Sequence, residues 1–180
     1  DWSSDVCSSD LHLVERLPRF AQRVLLAGGR DERLPTVLRA RGAEEIHVVD
    51  LHEAYRDTDH VIARVESAPG DLSTAQLGLP LAYYDVIMLP DPAALGDALP
   101  MVLRALLPGL KPNGLVLLAA ANPSYWPAPA ASAADLGPHI EAAGLGVYWE
   151  TPLWDPDHGG AHPDDHGCIR IAGRSWPCAT

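Results

Sequence analysis

The chain has 180 residues, of which 47% are hydrophobic and 21% are charged, as is typical of one globular domain. Its formal net charge of −11 argues against a nucleic-acid partner, because phosphate binding requires a basic face. The sequence contains neither a secretory signal nor an apolar run of about 18 residues, so we expect a cytoplasmic location and no membrane partner. Three cysteines are too few to predict a disulfide framework.

The first residues differ in composition from the rest of the chain. Residues 1–10, DWSSDVCSSD, are rich in serine and aspartate and show neither helical nor strand periodicity. They resemble translated sequencing-adapter read-through. We therefore predict that residues 1–11 are a disordered or non-native leader and that residues 12–180 form one domain.

From Arg23 onward, short apolar runs alternate with amphipathic segments. Buried parallel strands are predicted at 24–27, 46–49, 60–65, 86–89 and 115–120. The fifth strand follows a predicted tight turn at Lys111–Gly114. Two further strands, at 147–149 and 168–171, have no helix between them, which favours an antiparallel hairpin.

Apolar residues at helical spacing predict helices between these strands. One helix runs from Leu34 to Arg41. Apolar residues between Leu95 and Leu107 mark another, with Asp97 as its N-cap and Pro100 in its first turn. Alternating strands and helices predict an α/β fold. We expect a three-layer sandwich around a mostly parallel seven-stranded sheet, with the antiparallel hairpin at its C-terminal end.

Five local motifs follow this order of elements. The motifs are VLLAGGRDE at 24–32, HVVD at 47–50, GDL at 70–72, YDVIMLPDP at 84–92 and LLPGLKPNGLVLLAAANP at 106–123. Together they make residues 20–173 resemble the class I S-adenosylmethionine-dependent methyltransferases. The last motif is the most specific, because it fixes a helix, a turn and a strand in one run.

The resemblance implies an S-adenosylmethionine site at the carboxyl ends of the strands, where α/β sheets bind ligands. It implies that Asp50 accepts hydrogen bonds from the ribose hydroxyls and that Asp71 lies near the adenine. The full set of implied cofactor-binding residues is Ala27, Gly28, Gly29, Asp50, Leu51, Asp71, Leu72 and Leu89. Asp91 and Asn122 are candidates to face the substrate.

The first loop departs from the family's pattern. Arg30 and Glu32 stand where the family usually has glycines, and Leu26 or Ala27 stands where it usually has an acidic residue. The run Gly28–Asp31 is similar to the Gly-Gly-x-Asp sequence of aminopropyltransferases, which share this fold. It also lacks the G-x-G-x-x-G spacing of nicotinamide-dependent enzymes.

The sequence therefore predicts methyl transfer from S-adenosylmethionine to a small-molecule acceptor. A non-catalytic binding domain of the same fold and an aminopropyltransferase-like enzyme remain the alternatives. No residue is assigned as the general base, and the oligomeric state is open. The loop 155–168 is rich in histidine and aspartate but lacks an established ligand spacing, so no metal site is predicted.

Overall fold

The computed structural model describes residues 14, 16–28, 33–51, 61–64, 74–120, 136–152 and 168–174. The predicted leader and most of the loop 155–168 lie outside these residues. Four predicted site residues also lie outside them, namely Gly29, Asp71, Leu72 and Asn122.

The described strands and helices alternate along most of the chain. The strands are β1 (Arg23–Ala27), β2 (Glu45–Asp50), β3 (Val61–Arg64), β4 (Tyr84–Leu89), β5 (Leu110–Ala120), β6 (Leu145–Pro152) and β7 (Cys168–Arg174). The helices are α1 (Leu34–Ala40), α2 (Thr74–Leu77), α3 (Leu99–Leu106) and α4 (Leu136–Ala142). Two 3₁₀ segments, Pro92–Ala98 and Leu107–Gly109, flank α3.

The strands form one sheet in the order β3-β2-β1-β4-β5-β7-β6. The first five strands pair in parallel, whereas β7 is antiparallel to both β5 and β6. This arrangement confirms the predicted α/β fold with a mixed sheet. Because β1 pairs with β2 on one side and β4 on the other, the ends of these three strands are neighbours.

The central strand β1 is apolar on both faces, which explains why it is buried. Leu25 packs into a core that includes Leu99 of α3, and Leu26 packs into a second core that includes Leu38 of α1. All four side chains are fully buried, and burial of a leucine side chain stabilises the fold by about 1.5–3 kcal/mol. Helices therefore cover the sheet on both faces.

The segment after β4 differs from its prediction. The helix begins at Leu99, one residue later than an N-cap at Asp97 predicts, and Leu95 lies outside it, because Gly96 has φ 50° and ψ −130°, which no α-helix tolerates. Asp97 is consequently not the N-cap, since α3 has no side-chain cap. Pro100 does occupy the first turn of α3, as predicted.

The predicted turn at Lys111–Gly114 lies inside β5. Tyr84 pairs with Leu110, but Val86 pairs with Leu115, so β5 contains extra residues between these two pairs. Gly114 permits this irregularity, because a Cβ atom there would lie 2.5 Å from Leu110 Cδ1 and 3.0 Å from the Asp85 carbonyl oxygen.

We expect Gly114→Ala to destabilise the fold by about 1–3 kcal/mol, since the added methyl group overpacks the contact with Leu110. Gly146→Ala is the matched control, because a Cβ atom at Gly146 meets nothing within 4 Å. Urea unfolding of both variants measures the difference. Equal free energies of unfolding for the two variants would contradict the close packing of Gly114 against Leu110.

Asp85 ties three strands together at the amino edge of the sheet. Its carboxylate accepts hydrogen bonds from the backbone N–H groups of Gln22 and Arg23 and from the Lys111 side chain. Burial alone would raise the pKa of Asp85, but the Lys111 hydrogen bond and the two backbone donors outweigh burial, so its pKa lies below the ordinary value of 3.8. The carboxylate is therefore stabilised in its charged form.

This lowered pKa predicts an acid-sensitive contribution to stability. Above the ordinary pKa of Asp85 the contribution is fully present, and it is lost as the pH falls through the lower pKa of the folded state. Asp85→Asn should reduce the free energy of unfolding at pH 7 by roughly 1–3 kcal/mol. Its stability should then fall less than that of the wild type between about pH 5 and pH 2.5. Parallel pH profiles for the two proteins would rule out this role.

Candidate functional site

The carboxyl edge of the sheet brings together the ends of β2, β1 and β4. Parallel strands end at the same edge, so Gly28 lies between Asp50 on one side and Asp91 on the other. Open α/β sheets bind their ligands at this edge, where loops leave neighbouring strands. We therefore take this edge as the candidate site.

Gly28 is the first residue after β1 and has φ 70°. A residue with a Cβ atom adopts this conformation at a cost, whereas glycine adopts it freely. The backbone N–H of Gly28 donates to the carbonyl of Val49 at 3.0 Å. The start of the first loop is thus held beside the end of β2, directly next to Asp50.

Asp50 is buried, with only 2% of its surface exposed. Among the described residues, no other buried polar or charged residue is present. A carboxylate this buried is retained in a folded protein only if it has polar partners, and Asp50 does make such an interaction. Leu51, also buried, follows it and supplies an apolar surface at the same strand end.

Asp91 follows the buried pair Leu89 and Pro90 at the end of β4. Its Oδ1 atom accepts a hydrogen bond from the backbone N–H of Ala94 at 3.3 Å, so it caps the 3₁₀ segment Pro92–Ala98. Its Oδ2 atom is buried. The cap fixes the direction in which this loop leaves the sheet at the candidate site.

A second polar cluster lies at the opposite, amino edge. Glu45 accepts a hydrogen bond from the Tyr83 hydroxyl at 2.6 Å and lies 3.2 Å from Nε2 of His47. His47 Nδ1 is 2.8 Å from the Tyr84 hydroxyl. Arg23 completes the cluster, with its guanidinium 4.4 Å from the centre of the Tyr83 ring.

Hydrogen bonds join the groups of this cluster to one another. A carboxylate only accepts hydrogen bonds, so Nε2 of His47 donates to Glu45, and a second hydrogen bond joins Nδ1 to the Tyr84 hydroxyl. Burial raises the pKa of Tyr84, and the hydrogen bond to Glu45 raises the pKa of Tyr83, so both phenols stay protonated. These contacts join β2 to β4 across β1, which is a structural role.

The sequence did not single out the amino-edge cluster, because its contacts join residues far apart in the chain. The one local signal is the spacing of Glu45 and His47, which places both side chains on the same face of β2.

Six of the predicted site residues are described, and all six lie at the carboxyl edge. They are Ala27, Gly28, Asp50, Leu51, Leu89 and Asp91. Their binding roles stay predictions.

Within the described ranges, no group of three or more histidine, cysteine, aspartate or glutamate side chains is arranged to hold a metal ion. No helix in these ranges is long and apolar enough to cross a membrane.

Neither a protein-family model nor a curated protein sequence matches this chain. Solved structures do match it. A methyltransferase from Mesorhizobium loti that depends on S-adenosylmethionine has a TM-score of 0.66 at 14% sequence identity, covering 94% of this chain and 99% of that protein. The CcbJ methyltransferase from Streptomyces caelestis has a TM-score of 0.64 at 15% sequence identity, and the alignment covers 94% of this chain and 90% of the CcbJ chain.

A third similar structure contains ligands. It is the 1,6-didemethyltoxoflavin-N1-methyltransferase of Burkholderia thailandensis, bound to 1,6-didemethyltoxoflavin and S-adenosylhomocysteine. It has a TM-score of 0.61 at 17% identity, and the alignment covers 93% of this chain and 77% of that protein. These similarities show that the chain has the Rossmann-like fold of class I S-adenosylmethionine-dependent methyltransferases.

The cap at Asp91 gives a prediction for the loop that borders the site. Asp91→Ala should destabilise the protein by about 1 kcal/mol, since the N–H of Ala94 loses its acceptor. Asp91→Asn retains a side-chain oxygen at the same position and should be nearly neutral. Thermal unfolding compares the two variants, and an equal loss in both would show that the cap is not what stabilises this loop.

Proposed function

We propose that the chain binds S-adenosylmethionine at the carboxyl edge of its sheet and transfers the methyl group to a small-molecule acceptor. The observation that carries the proposal is the buried carboxylate of Asp50, which ends β2 beside the positive-φ residue Gly28. In this proposal the sheet is the complete seven-stranded methyltransferase sheet, with β6 and β7 as its C-terminal hairpin. The similarity of fold supports the proposal.

The residues at this edge match the chemistry of the cofactor. A ribose offers two adjacent hydroxyl groups, and the two oxygens of the Asp50 carboxylate accept a hydrogen bond from each. These hydrogen bonds are strong because the acceptor is charged. Gly28 lets the ligand approach the backbone closely, since it has no side chain. Leu51 and Leu89 give apolar surfaces beside the ribose and base.

The protein's part in methyl transfer is to hold and to orient. The bound cofactor supplies the electrophilic methyl carbon on its sulfonium. The residues of the carboxyl edge fix the cofactor so that an acceptor approaches the methyl group in line. A hydroxyl or protonated amine acceptor also needs a general base, and we assign none.

The acceptor we propose is a small molecule rather than a nucleic acid. The net charge of −11 is unfavourable for a phosphate backbone. One protein of similar fold holds a small heterocyclic compound together with S-adenosylhomocysteine. For the chain itself we propose a cytoplasmic location without a membrane partner.

The altered first loop favours one alternative. Arg30 and Glu32 are larger than the glycines usual in such loops, so the chain is alternatively a binding domain that does not catalyse methyl transfer. The Gly28–Asp31 run keeps an aminopropyltransferase-like reaction on the same fold as the other alternative. Transfer of a radiolabelled methyl group to a panel of acceptors separates catalysis from binding alone.

Titration calorimetry with S-adenosylmethionine and S-adenosylhomocysteine tests the cofactor-binding step of the proposal. We expect wild-type protein to bind both, and Asp50→Asn to weaken each by about tenfold or more, because two charge-assisted hydrogen bonds are lost. Asp85→Asn is the matched control, since it removes a partly buried carboxylate at the opposite edge of the sheet. Absence of binding at millimolar concentration, or equal effects of the two variants, would contradict the proposal.

A further inference from the structure

We propose that Asn113 is a site of spontaneous deamidation in the folded protein, where it converts to isoaspartate and aspartate through a cyclic imide formed with Gly114. The modification is independent of the proposed function, because it lies near the amino edge of the sheet and needs no ligand. Three features lead to it, namely the residue that follows Asn113, the register of β5 and the packing around Gly114.

The dipeptide Asn113–Gly114 has the chemistry that this reaction requires. The backbone nitrogen of Gly114 gives up its proton and attacks the side-chain amide carbon of Asn113, and ammonia leaves with that proton as the five-membered imide closes. Water then opens the imide at either of its two carbonyl groups, which gives aspartate or isoaspartate. Glycine favours ring closure, because it has no side chain to hinder the attacking nitrogen and its backbone rotates freely.

The chain contains only two asparagines, and the second cannot deamidate by this route. Asn122 is followed by Pro123, whose ring nitrogen carries no hydrogen. That nitrogen has no proton to give up, so it cannot close a neutral imide. Asn122 is therefore an internal control in the same molecule.

The register of β5 leaves Asn113 outside the strand pairing. Between its pairings with Tyr84 and Val86, the strand contains residues 111–114, which make no pair with β4. Pairing with β7 begins only at Val116, and the side chain of Asn113 is exposed to solvent. Because none of the pairs described for β5 includes Asn113, the local rotation that ring closure requires does not break the sheet.

The packing at Gly114 makes the isoaspartyl product destabilising. Isoaspartate runs the main chain through its side-chain carbon, so it adds a carbon to the backbone directly before Gly114. A Cβ atom at Gly114 would lie 2.5 Å from Leu110 Cδ1 and 3.0 Å from the Asp85 carbonyl oxygen, so little space is available for a displaced backbone. Aspartate, by contrast, keeps the length of the backbone and only adds a charge at an exposed position.

The experiment follows the full chain during incubation in warm, mildly alkaline buffer. Peptide mapping by mass spectrometry measures Asn113 and Asn122 separately, and a synthetic peptide of residues 108–118 gives the rate in the absence of the fold. We expect Asn113 to deamidate faster than Asn122 by about tenfold or more. Local opening keeps its rate within about a hundredfold of the peptide's rate, whereas reaction through global unfolding alone would be slower by more than about a thousandfold.

Asn113→Gln is the matched control variant. Its longer side chain would have to close a less favourable six-membered ring, so it should stay intact over the same period. A rate for Asn113 in the folded protein more than about a hundredfold below that of the peptide would overturn the proposal. Equal conversion of the two asparagines, or conversion of Asn113→Gln at the wild-type rate, would also overturn it.

Urea unfolding measures the consequence of the modification for stability. Anion exchange separates the deamidated fraction by its added negative charge, and Asn113→Asp supplies the reference for the aspartyl product alone. The deamidated fraction should unfold at a lower urea concentration than fresh protein, whereas Asn113→Asp should unfold close to it, because an exposed substitution has a small effect. Equal midpoints for the deamidated fraction and Asn113→Asp would overturn the role of packing at Gly114.

Discussion

The burial of β1 is the constraint on which the rest of this structure depends. Its side chains alternate between two apolar cores, so the strand must have helices on both faces and a paired strand on both edges. That requirement places β2 and β4 on either side of it. The ends of these three strands then meet, and whatever follows each strand in sequence is brought to one edge of the sheet.

The two edges of the sheet use their polar residues differently. At the amino edge, the carboxylates of Asp85 and Glu45 accept hydrogen bonds from Arg23, Lys111 and Tyr83. At the carboxyl edge, Asp50 and Asp91 lie on opposite sides of Gly28, which has no side chain. The amino edge therefore stabilises the fold, and the carboxyl edge is where we propose that a ligand binds.

The sequence predicted the parts of this fold that depend on local composition. The apolar runs of β1, β2 and β4 are long enough to identify buried strands, and an acidic residue directly after the β2 run placed Asp50 at the strand end. The fold class follows from the order of the elements. The resemblance to the methyltransferases, and not composition, implied ten site residues. The six that the structure describes lie at one edge of the sheet, because parallel strands end together.

The features that sequence reasoning missed depend on contacts between distant residues or on a single backbone torsion. The torsion angles of Gly96 separate Leu95 from α3. The extra residues of β5 between its pairings with Tyr84 and Val86 put the predicted turn inside the strand. The amino-edge cluster joins His47 to Tyr84, which only the strand order brings together. No local pattern contains that information.

The most direct test of the central claim is a crystal structure of the chain with S-adenosylhomocysteine. The account predicts that the ribose hydroxyls bind the Asp50 carboxylate and that the ligand lies against Gly28. A ligand bound elsewhere on the chain, or a ribose that does not contact Asp50, would contradict it.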